Sequence, residues 1–402
     1  TSFPYVCHLL AVTPELYGKV GGGPADTPGT HHYDLALRAT EAASQVVHLP
    51  HVLYHRRRDE AVAAERMAGA FDADAVAAAL RAALRRRGVR AHLEEGPLSG
   101  SFLVRREVAA QPLVSVVVPF RDQPGMLRAC VDSLRSEPGW DRWELVLVDN
   151  ASTLPETRAL LAQLTEEVGA QVIEYPGRFN WSAVNNLAAR SCGGDLLCFV
   201  NNDVEVRSPG WLRALVEQAT RPEVGAVGAR LVYDDGRLQH AGIVLGLIEV
   251  AGHWLRDLPA DHPGYLGGAK LIRQCSAVTG ACLMTRRQVF EDHGGFDESF
   301  RLAYNDVDYC LRLRRSGYRV VYTPLAELVH HESRSRGLAS SPEESARFLR
   351  LWGDAVRGED PFFNPNLSRL AFWPRLRNPA EEEQWTMRLS ELERSWTASA
   401  PT

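Results

Sequence analysis

The sequence predicts an α/β protein whose main domain is a doubly wound, mostly parallel sheet. Two observations lead to this prediction. Short apolar runs of the strand type alternate with segments of helical periodicity from about residue 113 onward, which is the order that a parallel sheet with crossover helices requires. Carboxylate and amide residues follow directly on three of the apolar runs, as expected where strands end at a ligand-binding edge.

The alternation can be followed along the chain. Leu113 to Pro119 is rich in β-branched residues, which is typical of a strand buried on both faces, and Pro119 ends the run. The elements predicted after it are a helix at 126–136, a strand at 143–148, a helix at 156–168, a strand at 171–175, a helix at 182–190 and a strand at 196–200. This order predicts one sheet with right-handed crossovers.

The three polar strand ends are residues 120–122, 149–150 and 201–203. Because the carboxyl ends of neighbouring parallel strands meet at one edge, we expect these groups to line a pocket of nucleotide size. The alternative is a set of Asx-rich turns without a function. Neither a dinucleotide-binding Gly motif nor a P-loop follows the first strand. A divalent metal held by Asp203 is therefore predicted to neutralise the phosphates.

These motifs resemble the opening motifs of family 2 glycosyltransferases, which have the GT-A fold. The resemblance implies that Asp149 contacts the nucleotide base and that Asp203 ligates the metal ion, Mn²⁺ or Mg²⁺, that bridges the donor diphosphate. Asn201 stands where the family usually has an Asp, which leaves a ribose or metal contact at that position open. The predicted nucleotide-binding residues are Pro119, Phe120, Arg121, Asp149 and Asn202.

The resemblance continues on the acceptor side. Residues 305–308, Asn-Asp-Val-Asp, resemble the motif at a helix start whose Asp is the general base of inverting members, which implies this role for Asp306. Acidic residues at a helix start are also common caps, and we expect Asp308 to be such a cap or a partner of Arg312. Trp254, with His253 before it, is predicted to contact the acceptor or sugar or to belong to a mobile lid, and a packed core aromatic is the alternative. The other predicted acceptor or sugar contacts are Gly280, Ala281 and Asn305.

His330 and His331 resemble the C-terminal histidine segment that completes the metal site in some members of the family. The alternative is a pair of surface residues at a strand end. His330 is the favoured ligand because an internal repeat keeps a histidine, His55, at the equivalent place.

This repeat matches Asp34 to Asp308 and Arg38 to Arg312, both at a spacing of 274 (308 − 34, 312 − 38). His32 stands where Asp306 stands in the second copy, so the first copy is predicted to lack catalysis. Chance similarity is the alternative. The predicted segments are a C-terminal remnant of a first glycosyltransferase-like domain at 1–58, a helical linker at 59–111, a GT-A domain at 112–375 and a C-terminal helical tail at 376–402.

Composition limits the partners and the location. A formal charge of −5 argues against nucleic-acid binding, because no net basic field is available. Seven cysteines without a Cys-x-x-Cys pair predict free thiols and a cytoplasmic protein. No apolar run reaches the ~18 residues of a membrane span, and peripheral association with the inner membrane stays open.

The resemblance implies an inverting, metal-dependent transfer of a sugar from a UDP- or dTDP-linked donor to a hydroxyl of a glycan or lipid-linked acceptor. Residues 360–367 resemble a segment of bacterial rhamnosyltransferase-like and O-antigen-type members. One alternative is a nucleotidyltransferase, which would need a basic Gly-rich first loop that the sequence lacks. The other is a nucleotide-sugar-binding domain without catalysis, but the presence of Asp203 and Asp306 argues against it.

Overall fold

A computed structural model describes residues 10–23, 31–51, 53, 72–331 and 342–397, without the side chains of residues 31 and 393–397. The chain divides into two compact units, Thr1–Glu107 (unit 1) and Val108–Thr402 (unit 2). This boundary lies close to residue 112, where the sequence predicts the start of the second domain. None of the helices within the described ranges is long and apolar enough to cross a membrane.

Unit 1 contains three described helices and a hairpin. These are α1 (Pro14–Lys19), α2 (His31–Ala42), α3 (Ala73–Arg86), β1 (Ala91–Glu95) and β2 (Phe102–Arg106). The core joins Tyr33 and Leu37 of α2 to Leu80 of α3 and to Phe102. The sequence predicts a helical linker at 59–111, but β1 and β2 pair as an antiparallel hairpin, because Phe102 and the residues after it favour a strand. His55 and residues 59–71 lie outside the described residues.

Unit 2 is built on one large sheet and a separate small hairpin. The strands of the sheet are β3 (Val114–Phe120), β4 (Trp143–Asp149), β5 (Gln171–Glu174), β6 (Leu196–Val200), β7 (Val204–Val206), β8 (Val224–Val232), β9 (Leu238–His240), β12 (Arg273–Gln274), β13 (Cys282–Arg286) and β14 (Arg319–His330). The hairpin consists of β10 (Ile243–Leu245) and β11 (Ala251–His253).

The sheet order is β12-β14-β8-β13-β6-β3-β4-β5, with β7 beside β14 and β9 beside β8. The pairs β6-β3, β3-β4, β4-β5 and β14-β8 are parallel, whereas β13 runs antiparallel to both of its neighbours. The predicted mostly parallel sheet is therefore confirmed, and the strands that pair antiparallel in it are β13 and the short strands β7, β9 and β12.

Helices cover both faces of this sheet. They are α4 (Pro124–Arg135), α5 (Pro155–Val168), α6 (Trp181–Ser191), α7 (Trp211–Ala219), α8 (Arg287–Asp292), α9 (Asn305–Arg315), α10 (Pro342–Arg357) and α11 (Glu381–Thr397). Alternate residues of β3 belong to two different cores: Val117 packs with α6 and α9, and Val116 packs with α4, α5 and α7. This alternation is that of a doubly wound sheet. The predicted C-terminal tail contains α11, whose buried Trp385 donates its indole N–H to the Gly246 carbonyl at 2.6 Å.

Unit 1 contains a two-glycine turn that is held by an arginine. Gly21 and Gly22 both have a left-handed φ, +79° and +67°, and their N–H groups donate to carbonyls of α1 at 3.1 and 2.9 Å. Arg38 of α2 pairs with Asp34 at 2.8 Å and donates to the carbonyl of Val20. We call this arrangement, the turn at 21–22 together with Arg38, the clamp of unit 1.

Unit 2 contains the same arrangement between α8 and α9. Gly294 and Gly295 have φ of +72° and +66°, and their N–H groups donate to carbonyls of α8 at 3.0 and 2.9 Å. Arg312 pairs with Asp308 at 2.8 Å and donates to the carbonyl of His293. This clamp of unit 2 follows that of unit 1 at 273 residues for the turn (294 − 21) and 274 for the arginine (312 − 38).

Candidate functional site

The C-terminal ends of β4 and β3 lie side by side, because Phe120 is in register with Asp149. The Asp149 carboxylate accepts the Ser152 N–H at 2.9 Å, and the Ser152 hydroxyl accepts the Asp122 N–H at 2.7 Å. The Asp122 carboxylate in turn accepts the N–H groups of Leu154 at 3.0 Å and Thr153 at 2.9 Å, and these two hydrogen bonds hold the pKa of this carboxyl below the ordinary range. The two strand-end loops are thus one hydrogen-bonded surface that carries Asp149 at its rim.

The predicted nucleotide contacts differ in exposure. Arg121 is exposed, and Asp149 and Asn202 are partly exposed. Pro119 and Phe120 are buried, and Phe120 is only 2% exposed within the core of the α4 face. The side chain of Phe120 packs in the core because β3 continues through this residue, and the contact of Pro119 and Phe120 with a nucleotide stays a prediction.

The end of β6 is joined to the start of β13. The Asn201 N–H donates to the Ala281 carbonyl, and the Asn201 amide oxygen accepts the Trp181 indole N–H, both at 3.1 Å. Gly280 lies so close to this indole that a Cβ there would meet the ring at 2.7 Å. Asn201 is therefore engaged by the protein at the position where the family usually has an Asp. The predicted acceptor residue Ala281 is buried beside it.

Asp306 reaches the same edge from α9. Its carboxylate accepts the Gly280 N–H at 2.7 Å and the Val307 N–H at 2.8 Å. Burial raises the pKa of this carboxyl above its ordinary value, and the hydrogen bonds from Gly280, Val307 and the Thr279 side chain oppose the rise. A carboxylate with a raised pKa is a better proton acceptor, which is the property that a general base requires.

The other residues at the start of α9 have structural partners. Asp308 is buried between Arg312 at 2.8 Å and the Trp352 indole N–H at 2.9 Å, which confirms the predicted pairing with Arg312. Asn305 is 4% exposed and its amide oxygen accepts the Asp306 N–H at 2.8 Å. Among the described residues its amide nitrogen has no hydrogen-bond partner.

The loop that precedes α9 is held by contacts with α10. Glu344 accepts the N–H groups of Leu302 at 2.9 Å and Ala303 at 3.3 Å, and the Tyr304 hydroxyl lies 3.2 Å from the Ser345 hydroxyl. Tyr304 itself has a left-handed φ of +62° directly before the helix. These contacts determine where Asp306 stands.

The candidate metal ligands separate into two groups. His330 Nε2 lies 3.2 Å from Asp203 Oδ1, and both side chains are largely buried. His331 points elsewhere, towards Glu205 at 3.0 Å and Asp234 at 2.5 Å. Successive side chains of a strand face opposite sides. The backbone N–H of His331 donates to the Asp203 carbonyl at 2.8 Å, but of the two histidine side chains it is that of His330 that faces the Asp203 carboxylate.

Within the described ranges, no three His, Cys, Asp or Glu side chains gather as a metal site. Magnesium in phosphate-transfer sites is commonly held by one or two protein carboxylates, and substrate phosphates and water complete the coordination. One carboxylate and one imidazole at 3.2 Å fit such a site, which a bound diphosphate would complete.

Trp254 is packed in the core of unit 2. It is 5% exposed and its ring meets that of Phe363 edge-on with centroids 4.8 Å apart. This packing agrees with the core alternative, and the acceptor contact of Trp254 stays a prediction.

Three residues of the site carry no motif that would reveal them. Trp181 links Asn201 to Gly280, Glu344 orders the loop before α9, and Gln239 contacts His330. Trp181 follows the N-cap Asn180 of α6, and a cap signal alone does not indicate a site. The contacts of the other two join segments that are distant in the sequence.

Residues 115–294 match the family model described as Glycosyl transferase family 2. The matched range contains the strand-end residues Asp149 and Asp203 and also Gly280. Asp306 and His330 follow it in the sequence.

Two curated proteins and one solved structure are similar to this chain. The O-antigen biosynthesis protein RfbC of Myxococcus xanthus is 42% identical over 397 residues, which is 96% of this chain and 31% of that protein. The N-acetylglucosaminyl-diphospho-decaprenol L-rhamnosyltransferase of Mycobacterium tuberculosis is 34% identical over 153 residues, 36% of this chain and 49% of that protein. The mannosyltransferase PcManGT of Pyrobaculum calidifontis, in complex with GDP-Man and Mn²⁺, is 19% identical with a TM-score of 0.48, covering 82% of this chain and 88% of its own.

The chain spans less than half of the length of both curated relatives. The family match coincides with the strand ends that carry Asp149 and Asp203 and with the predicted sheet. The chain therefore contains a glycosyl transferase family 2 domain, which the family model matches over residues 115–294.

Proposed function

We propose that unit 2 transfers a sugar from a nucleoside-diphosphate donor, UDP- or dTDP-linked, to a hydroxyl of a glycan or lipid-linked acceptor, with inversion at the anomeric carbon. The observation that carries the proposal is the hydrogen bond from the Gly280 N–H to the Asp306 carboxylate at 2.7 Å. Gly280 lies just before β13, and β13 pairs with β6, the strand that precedes Asp203. The hydrogen bond thus connects the proposed base to the strand pair that leads to Asp203.

Asp306 acts as the general base. An acceptor hydroxyl is a poor nucleophile at neutral pH, and proton removal by a positioned carboxylate is worth roughly 10²–10⁴-fold in rate. Asp308 is already engaged by Arg312 and Trp352, which makes it unsuited to serve as a base or as a nucleophile for a covalent intermediate. A single displacement with inversion follows from this division of roles.

Asp203 and His330 would hold a divalent ion, Mn²⁺ or Mg²⁺. Such an ion, when bound, stabilises the negative charge that develops on the leaving diphosphate. Asp149 contacts the nucleotide base from the loop that Ser152 secures, and Arg121 and Asn202 flank the same pocket. His331 is left out of the ligand set because it faces Glu205 and Asp234.

The relatives favour a bacterial cell-surface glycan as the product. One is named an O-antigen biosynthesis protein and the other a rhamnosyltransferase that acts on a diphospho-decaprenol-linked sugar. A dTDP-linked deoxyhexose and a lipid-linked acceptor are therefore the first substrates to test. Transfer to such a lipid would take place in the cytoplasm at the inner membrane surface.

The test is a donor screen on the full chain. UDP- and dTDP-sugars are titrated by calorimetry with Mn²⁺ or Mg²⁺, and release of the nucleoside diphosphate is assayed with and without EDTA. Binding, metal-dependent release and an inverted product by NMR are expected. Failure to bind any nucleotide sugar would refute the proposal, release of pyrophosphate would indicate a nucleotidyltransferase, and binding without release would indicate a domain without catalysis.

We further propose that unit 1 derives from the end of a first glycosyltransferase-like domain. The matching clamps support this origin, because two adjacent left-handed glycines and the same Asp–Arg pair recur at a nearly constant spacing. His32 stands at the position of Asp306, and transfer is accordingly assigned to unit 2 alone.

A further inference from the structure

We propose that Gln239 is a positioning residue that sets the tautomer of His330, so that the lone pair of His330 Nε2 faces Asp203. The proposal rests on the proposed function, in which this nitrogen is a metal ligand. Its basis is a contact between two strands: Gln239 of β9 has its amide oxygen 2.8 Å from Nδ1 of His330, the last residue of β14.

The backbone of β9 has a β-bulge at Gln239. His240 pairs with Leu231 and Leu238 pairs with Val232, so Gln239 is the extra residue of a β-bulge. A bulge redirects a side chain relative to the regular alternation of a strand, and bulges are common beside active sites. Gln239 is 2% exposed. A buried amide at a bulge is costly unless its polar atoms have partners, which is consistent with a defined contact to His330.

The chemistry of the contact determines the protonation of the ring. An amide oxygen can only accept, so the His330 nitrogen that faces it, Nδ1, carries the hydrogen. In the neutral ring Nε2 is then the acceptor, and it lies 3.2 Å from Asp203 Oδ1, which is also an acceptor. Two acceptors at this distance are stabilised by a cation between or beside them. A histidine that ligates a metal generally donates its other N–H to such an outer partner, whose loss costs about 10–100-fold in affinity.

The test uses the full chain with Mn²⁺ and UDP and compares two substitutions. Gln239→Met keeps the length of the side chain and removes the acceptor, whereas Gln239→Glu keeps an acceptor oxygen. Gln218→Met is the matched control, since Gln218 of α7 is equally buried at 2% and accepts a hydrogen bond from Arg221. The affinity for Mn²⁺ is measured by EPR, and the ¹⁴N coupling from a bound imidazole by pulsed EPR, with His330→Ala defining the signal.

Gln239→Met is expected to lose the ¹⁴N coupling and to weaken Mn²⁺ binding about 10–100-fold, whereas Gln239→Glu and Gln218→Met keep both. Retention of the coupling and of the affinity in Gln239→Met would overturn the proposal. A purely structural role would weaken binding in Gln239→Glu as well, so rescue by that variant separates the two.

A measurement without metal separates this proposal from the proposed function. Nitrogen-15 NMR of the imidazoles in the wild-type chain reports the tautomer of His330 directly. The Nδ1–H form is expected, and the Nε2–H form would overturn the role of Gln239. If the wild-type chain binds no Mn²⁺ with any nucleotide, the proposed metal site fails, and the tautomer still decides the role of Gln239.

Discussion

The clamps of unit 1 and unit 2 have the same backbone and the same ion pair, yet they differ in what the following helix carries. The second residue of α2 is the exposed His32, and the second residue of α9 is Asp306, which is bound to Gly280. Asp308 of unit 2 is 4% exposed, whereas its counterpart Asp34 is 22% exposed. The difference shows that the clamp serves as a scaffold in both units. The chemistry depends on which residue stands at the start of the helix and on how far the clamp is buried.

The strongest test of this comparison is the pair Asp306→Asn and His32→Asn. Asp306→Asn preserves the shape and removes the base, so transfer is expected to fall roughly 10²–10⁴-fold with donor binding retained. His32→Asn is expected to leave transfer unchanged. Release of the nucleoside diphosphate and donor calorimetry measure the two effects. Turnover of Asp306→Asn within about tenfold of the wild type would remove Asp306 from the role of base.

The pH dependence sharpens the same prediction. Only the ionised carboxylate accepts a proton, so kcat/KM should fall as the pH falls through the pKa of Asp306. Burial raises this pKa, and the acid limb is therefore expected above the ordinary value of 3.8. Asp306→Asn should lose this limb, because no group titrates at that position. A limb unchanged in that variant would assign it to another residue.

The sheet and much of the site could be predicted because both depend on local patterns. Apolar runs that end in Asp149 and Asp203 indicate strands and their functional edge. The Asp308–Arg312 pair follows from i,i+4 spacing on a helix. The hairpin of β1 and β2 is not predicted, because β1, the partner of residues 102–106, is mostly polar and carries little strand signal.

The remainder of the site depends on tertiary contacts that no local pattern contains. The burial of Phe120 is decided by how far β3 extends, and that of Trp254 by its contact with Phe363. The choice between His330 and His331 depends on which face of β14 meets Asp203. Gln239 contacts His330 across 91 residues of sequence, and no local pattern indicates such a contact.

The second test of the comparison removes the arginine of each clamp. Arg312→Met leaves Asp308, 4% exposed, as an unpaired buried charge, and this should cost about 3 kcal/mol in the free energy of unfolding of unit 2. Arg38→Met leaves Asp34, which is 22% exposed and can be hydrated, and about 1 kcal/mol is expected in unit 1.

The two units can be monitored separately. All 9 tryptophans lie in unit 2, so urea unfolding followed by tryptophan fluorescence reports unit 2 alone. Hydrogen exchange of the α2 amides reports unit 1. The double substitution Asp308→Asn with Arg312→Met is the control, because removing both charges should recover part of the loss. Equal costs for the two arginines would show that burial does not distinguish the clamps.

The third test concerns the second glycine of each turn. Gly295→Ala forces a side chain into a left-handed φ of +66° and brings its Cβ to 2.7 Å from Asn186 Oδ1. Asn186 cannot retreat easily, because its amide bonds both the N–H and the carbonyl of Phe296. Gly22→Ala has the same φ penalty, but the nearest atoms to its Cβ among the described residues are those of the Tyr17 side chain, at 3.2 Å. We expect a loss of about 2–3 kcal/mol for Gly295→Ala and about 1–2 for Gly22→Ala. A larger loss at Gly22 would contradict the assignment of the tighter turn to unit 2.

The smallest effect is expected at the first glycine, where the two clamps should behave alike. Gly21 and Gly294 have left-handed φ values of +79° and +72°, and a Cβ at either position meets no atom of the described residues within 4 Å. Only the backbone penalty applies, so Gly21→Ala and Gly294→Ala should each cost about 1 kcal/mol in their own unit. Replacement by Asn, which tolerates this conformation better, should cost less at both positions. Tryptophan-monitored unfolding and exchange of α2 amides again measure the two units. A clear inequality between the two alanine substitutions would mean that the turns differ in backbone geometry, and the common scaffold would then have to be given up.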